Sequence, residues 1–486
     1  MKTKLITIVL IGLSGLNFAQ NYNDAILLSE PGLYSDARVL GMGNSFTALS
    51  GEYSSIMFNP AGLGFAKKSR FSAGLNVLSF DNTASFLNSS TNSLQNTVNL
   101  NQVGFVFPVP TAKGSLVFAL GYNRVKEFNS LTEFDGFNSS NTSMIQFVTG
   151  DVNELVPLTN DIRLAYEILD PNNENYVRDT TLIEGLLNQS GKTRVRGNIG
   201  NWSFAGATEV AKDFFIGGTF NILSGRYKRD RDYFEDDTKD IYGINLELVP
   251  GDNTTRDFQS FLFNDVIEWD LSGWDVKFGL LYNWKNFLKF GADVKLPSYY
   301  TIKESYFVTV SSEFGTNNNF ELAQPLLDDV EYKIKTPFEY SFGVSLNVNI
   351  FTLSGNIKLI DYTQMEFTEG LGTEYRIERN KEIDDLFRTT VTYNGGVEVK
   401  IPHLPIWGRV GAIYIQSPYL NDPTEFDKKY LTAGAGIKLG NSLKLDIAYA
   451  YGWWNDFSDN YGSNVSRVQQ DINVQNFILN ISTSLN

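Results

Sequence analysis

The chain has one histidine, His403, and no cysteine among its 486 residues. That inventory removes disulfides, thiolate zinc sites, iron–sulfur clusters and cysteine nucleophiles. A Ser-His-Asp arrangement would have to use His403, which lies in Ile401-Pro402-His403-Leu404-Pro405, a stretch that reads as a tight turn. Gly41-Met42-Gly43 has the look of a phosphate loop, but no strand precedes it and no third glycine follows. It reads as a turn where backbone packs closely. The charged run Arg226–Asp240 could hold a ligand or metal; it reads instead as a solvated strand extension. No catalytic residue, metal or cofactor is expected, and no enzyme activity. Individual ligand-contacting residues are not legible.

The elements that would carry any function announce themselves through composition. Phe 36, Tyr 24 and Trp 7 make 14% aromatic residues, with Gly 41 and a formal charge of −15. So acidic a chain has no footprint for nucleic acid. Residues 1–20, MKTKLITIVLIGLSGLNFAQ, carry a basic start, a short apolar core and a small residue before the expected cut after Ala19 or Gln20. They read as a signal peptide. No later stretch offers about 18 uninterrupted apolar residues, so no spanning helix is expected.

From Ser69 onward the sequence alternates with period two. Tyr340, Phe342, Val344, Leu346 and Val348 interleave with polar or small residues, as do Leu443, Leu445, Ile447, Tyr449 and Tyr451. Many runs exceed 12 residues, whereas sandwich strands have about 5–6. Short turns near Val109–Gly114, Ala211–Asp213, Lys285–Asn286, Asn347–Asn349, Ile401–Pro405 and Gly440–Ser442 alternate with long connections. This is the rhythm of an all-β, transmembrane, antiparallel up-and-down β-barrel. The segments number about fourteen: near 69–86, 97–109, 115–129, 194–210, 214–235, 265–284, 287–310, 328–349, 350–369, 388–401, 406–419, 427–440, 442–459 and 466–486. The barrel is expected over residues 69–486. An even count puts both ends on the periplasmic side, with Trp284 and Trp407 in one aromatic girdle and Trp453 and Trp454 toward the other. Ser130–Thr193 reads as a long extracellular insertion, with short amphipathic helices through Ile162–Leu169 and Leu182–Leu187.

The segment Arg38–Phe71, RVLGMGNSFTALSGEYSSIMFNPAGLGFAKKSRF, resembles the N-terminal signature of the FadL/TodX outer-membrane transport family. The matching features are Gly41-Met42-Gly43, the small residues of Phe46–Leu49, and Asn59-Pro60-Ala61-Gly62-Leu63. Asn101–Glu127 is similar to the Bacteroidota branch. The resemblance implies a fourteen-stranded barrel in the outer membrane of a Gram-negative bacterium, with residues 21–68 as a small N-terminal hatch in its lumen. Gly41, Gly43, Asn59, Pro60, Ala61 and Gly62 would form the hatch motif. It also implies a lateral opening in the wall. Strand three is the candidate, because Gly121 interrupts Leu116–Tyr122 and strand glycines often mark kinks.

The function implied is passive uptake of hydrophobic small molecules, either long-chain fatty acids or aromatic and aliphatic hydrocarbons. The alternative is a FadL-like barrel serving as a protein-binding shuttle or attachment factor of type IX secretion. Expected partners are the apolar ligand, outer-membrane lipid and lipopolysaccharide, with no nucleic acid and the chain acting as a monomer. Haem is not expected: only Tyr or Met could ligate its iron.

Overall fold

In a computed structural model the described residues are 21–150, 156–172 and 175–485; the expected signal peptide lies outside them. Long alternating strands pair with their sequence neighbours, and the last closes on the first. The wall consists of β1 (Arg70–Phe86), β2 (Ser89–Val109), β3 (Leu116–Glu127, continued by Ser130–Phe137), β4 (Asn188–Ala211), β5 (Phe214–Asp236) and β6 (Phe258–Trp284). Next come β7 (Leu288–Lys295 and Tyr299–Phe314) and β8 (Leu326–Lys335 and Glu339–Val348). The remainder are β9 (Phe351–Asp361), β10 (Thr389–Lys400), β11 (Ile406–Ile415), β12 (Lys428–Leu439), β13 (Leu443–Asp459) and β14 (Arg467–Ser484). β1 pairs antiparallel with both β2 and β14, so the fourteen strands form a closed barrel, as backbone groups in lipid require.

The period-two pattern places apolar side chains outside. Leu75, Phe118, Phe204, Phe278, Phe342, Leu353, Val410 and Phe477 are exposed on the outer face. Their sequence neighbours Ser203, Lys277, Ser341 and Asn476 are buried within the lumen. Trp274 stacks on Tyr299 at 5.1 Å and Tyr122 meets Trp202 edge-on at 5.8 Å on the wall. The short connections hold left-handed residues that tighten them: Asp213, Lys285, Asn286, Asn349 and His403 all have φ between 53° and 64°. His403 is therefore a turn residue, as expected.

Several boundaries differ from expectation. β4 and β6 begin at Asn188 and Phe258; the added stretch of β4 is polar, whereas that of β6 packs Phe258, Phe261 and Phe263 into the cluster of the long insertion. β7 breaks at residues 296–298 and β8 at 336–338, around Pro297 and Pro337, which cannot donate to a ladder. In the long insertion, helices form at α3 (Met144–Gly150) and α4 (Val156–Asp161). Tyr166–Leu169 instead pairs with Tyr176–Thr180 as a hairpin, and Leu182–Leu187 runs without helix into β4. The apolar side chains taken for helix faces, Ile162, Leu164, Ile183 and Leu187, are buried in one cluster with Phe86, Phe261 and Tyr461. Tertiary packing, not helical periodicity, explains their spacing. A charged helix, Thr373–Leu386, lies between β9 and β10 without an apolar face to announce it.

The N-terminal segment touches the inner wall on all sides. α1 (Tyr22–Ser29) is capped by Asn21, whose side chain accepts from Asn23 N at 2.8 Å while Asn21 N donates to Asp24 at 3.0 Å. α2 (Ala37–Gly41) starts at Asp36, which accepts from Val39 N at 2.8 Å. Four directly opposed glycine pairs on the wall receive four pieces of the segment. Gly104 and Gly121 take the ring of Tyr53; Gly217 and Gly279 take Asn59-Pro60; Gly291 and Gly343 take Thr47; Gly396 and Gly411 take Met42-Gly43. A Cβ on any of these eight glycines would fall between 1.9 and 2.9 Å from the docked atoms.

Candidate functional site

The residues singled out by sequence fall into two groups. The first holds the segment in the lumen. Asn59 donates from Nδ2 to Thr47 O at 2.8 Å and to Leu280 O of β6 at 2.9 Å, and its Oδ1 accepts from Ala61 N at 3.1 Å. Pro60 opens the next turn with φ already fixed. Gly62 O accepts from Gly51 N at 3.1 Å. Gly41 packs on Gly434 of β12, and Gly43, with φ +62°, has its carbonyl bound by Asn394 Nδ2 at 2.8 Å. All six motif residues therefore contribute contacts of the segment, five of them directly to the wall.

Ion pairs fasten the same segment. Arg38 binds Glu398 of β10 at 2.9 Å and Glu52 at 3.2 Å. Arg409 of β11 bridges Glu398 and Asp446, each at 2.7 Å. Lys444 and Arg70 complete the cage around Glu52. Burial alone would raise the Glu52 carboxyl, but Lys444, Arg70 and Arg38 overrule it and hold it down to about 2. Sequence reading did not find this network, because its members are scattered over 400 residues.

The second group concerns the wall. Pairing between β2 and β3 runs from Val109–Leu116 to Gln102–Asn123 and stops. Above that point β2 pairs only with β1, while β3 and its continuation pair only with β4. The register with β4 shifts at Val125. A slot without backbone hydrogen bonds thus separates residues 89–101 of β2 from β3. Side chains alone close it: Asn99 Nδ2 donates to Glu127 at 3.0 Å, Arg124 Nε donates to Leu100 O at 3.5 Å, and Ser93 Oγ donates to Leu131 O at 2.8 Å. Gly121 itself sits four residues before the irregularity, in register with Gly104 and Ser203 on either side. Its missing side chain makes room for Tyr53 rather than a bend.

The segment also borders the slot. A Cβ on Gly32 would lie 2.2 Å from Val125 O, and Tyr34 OH donates to Glu127 at 3.4 Å. Lys126 of β3 donates to the carbonyls of Leu27 and, at 2.8 Å, Glu30, at the end of α1. Those carbonyls lack intrahelical partners, so the ammonium ties α1 to the slot.

On the other side of α1 lies a cavity of about 390 Å³. Tyr227, Trp269, Tyr306, Tyr419, Phe426, Trp454 and Phe457 contribute rings to its walls, Ile26, Leu27 and Ile267 aliphatic surface. Asp24, at its α1 side, is pushed up to about 8 by burial and by neighbouring Glu304. A second cavity, about 180 Å³, lies on the far side of residues 31–34 and is lined by Lys277, Asp293, Lys295, Glu339 and Lys358. These form ion pairs, with Glu339 bound to Lys295 at 2.9 Å and Lys358 at 2.7 Å.

A closed fourteen-strand barrel, apolar outside, filled by its own N-terminal segment and slotted between two strands, defines an outer-membrane barrel of the plugged type. The fold is the FadL/TodX one. It is similar to the Pseudomonas aeruginosa FadL homologue (TM-score 0.58, 11% identity, covering 94% of this chain and 100% of that one). It is similar to the P. putida toluene transporter TodX (TM-score 0.55, 12% identity, covering 94% and 99%). The Ralstonia pickettii toluene transporter TbuX gives 0.50 at 15% identity, covering 93% and 99%. The sequence matches no protein-family model and no curated protein.

Proposed function

We propose that this chain is a passive outer-membrane channel for hydrophobic small molecules, with residues 21–68 as its hatch. The observation that carries the reading is the slot between β2 and β3, set across α1 from a cavity whose walls hold seven aromatic rings among charged groups. Burial of a solute's apolar surface against those rings contributes roughly 25 cal/mol per Å². The slot offers such a solute an exit sideways into lipid past Leu100 and Leu120, both exposed on the outer face. The likeness to toluene transporters supports the same reading by fold alone. Nothing in this route requires a reaction. The secretion-shuttle alternative draws no support from the fold likeness; in the outer loops Ile162, Leu164, Ile183 and Leu187 pack inward, while Leu169, Tyr176, Val177, Ile241 and Ile244 stay exposed.

The test uses the absence of native cysteine. Asn99→Cys and Glu127→Cys face each other across the slot. In liposomes carrying this double variant, labelled toluene and labelled fatty acid should enter when the thiols are free, and a short bis-thiol cross-linker should stop entry. Uptake no faster than in protein-free liposomes would overturn the transport reading. Uptake insensitive to the cross-linker would overturn the lateral route.

A further inference from the structure

We infer that the aromatic cavity beside α1 takes an organic cation, a substituted ammonium carried on an apolar or aromatic group, in preference to a carboxylate. The inference rests on the transport reading and names the cargo class for the same site.

The cations that line the cavity are already committed. Arg229 and Arg231 both bind Asp265, and Lys428 binds Glu30 at 2.7 Å. Arg229 Nε has no partner, but it is sealed from solvent and presents nothing to a ligand. The acids are in the opposite condition. Among the described residues no basic nitrogen lies within 4.0 Å of Asp24, Asp422 or Asp456, all of which line the cavity. Asp24 has only Asn21 N at 3.0 Å and Tyr332 OH at 3.3 Å. Asp456 is exposed and accepts from its neighbour's amide, Phe457 N, at 2.8 Å. Asp422 accepts from Ser417 Oγ at 2.5 Å. The lining holds five acids, Asp24, Glu30, Glu304, Asp422 and Asp456, against three bases, Arg229, Arg231 and Lys428, so an incoming carboxylate adds to an excess of negative charge and an incoming ammonium offsets it.

The rings fit the same charge. Aromatic faces attract cations, and quaternary ammonium groups are held in cages of such rings. One ammonium already uses this wall: Lys428 Nζ sits 5.5 Å over the Trp454 ring. Tyr227 and Trp269 lie 4.4 Å apart on one side, and Phe426 meets Phe457 edge-on at 5.9 Å. An apolar group on the same molecule finds Ile26, Leu27 and Ile267.

The test compares three probes of similar size on the full mature chain in phosphatidylcholine nanodiscs: benzyltrimethylammonium, 3-phenylpropionate and 3-phenylpropanol. Calorimetry and the fluorescence of Trp269 and Trp454 report binding. The cation should bind at least tenfold more tightly than the carboxylate. In the double variant Asp422→Asn/Asp456→Asn that advantage should disappear, with 3-phenylpropanol binding unchanged and heat-modifiable gel migration retained. Carboxylate binding equal to or tighter than that of the cation, or a preference that survives in the double variant, overturns the inference. Flux of the alcohol into liposomes separates the two readings. If the alcohol crosses and the cation does not bind, the cation inference falls and the channel stands. If no probe binds and the alcohol does not cross, the channel reading falls and takes the inference with it.

Discussion

The ring of Tyr53 packs against Gly104, so close that a Cβ at that position would fall 1.9 Å from a ring carbon. The opposed Gly121 leaves the same vacancy for the tyrosine hydroxyl end. A segment with little core of its own is thus held by shape, strand by strand.

Gly121→Leu should evict Tyr53 without unfolding the wall, because the strand's ladder stays intact on both sides of the position. The expected result is a heat-modifiable barrel with raised ion conductance in planar bilayers, faster proteolysis of residues 21–68 and altered uptake. Deletion of residues 21–68 should raise conductance further. An unchanged conductance in the deletion would refute the hatch assignment.

Arg38→Ala leaves Glu398 and Glu52 short of a shared cation in a water-poor lumen. Because Arg409 still pairs with Glu398, and Arg70 and Lys444 with Glu52, the cost falls below the roughly 3–5 kcal/mol of a buried pair left uncompensated. That cost should appear as loosened hatch docking, read by hydrogen exchange at residues 36–65. Arg38→Lys keeps the charge but loses the two-nitrogen grip on Glu398, and should fall between wild type and alanine.

The pH dependence follows from Glu52. Its carboxyl is held at about 2 when docked, against an ordinary 4.5. A lowered docked value means that this contribution is complete above about pH 4.5 and fades as the pH falls from there toward 2. Conductance of the wild type should therefore stay low at pH 4 and rise only as pH 2–3 is approached. Opening that is already complete at pH 4.5 would show that Glu52 does not fasten the segment.

Lys126→Met removes the ammonium that joins β3 to the end of α1. The methionine keeps the length of the side chain, so packing changes little. Faster exchange of the amides in residues 22–34 is expected, together with faster release of bound apolar cargo, with the barrel unaltered in gel migration.

The barrel was legible from sequence because its signal is repeated in every strand: alternation such as Tyr340 to Val348, and short turns that recur on one side. Boundaries were less so. The polar ladder at residues 188–193 carries no apolar face to mark it, and Phe258, Phe261 and Phe263 in the extension of β6 pack into the loop cluster rather than following the wall. The Ile162 and Leu187 regions misled because residues packed in a loop core follow no period. Gly121 was noticed for the right reason, a missing side chain in a strand, but sequence cannot tell a bend from a close approach. The cavity drew no signal: Asp24, Trp269, Asp422 and Asp456 come from four separate elements, joined only by closure of the sheet.

The four opposed glycine pairs also set the bore that this protein would have if its segment withdrew. At those positions the inner surface is bare backbone, so the free radius there would be wider by nearly a side-chain layer than in a barrel of equal strand number lined by ordinary residues. Unsupported glycines also twist easily. An emptied wall would be both wide and pliant at that level, and ions would leak through it in proportion to the time the segment spends undocked. On the proposed hatch reading, retention of the segment would also keep the outer membrane tight to small solutes.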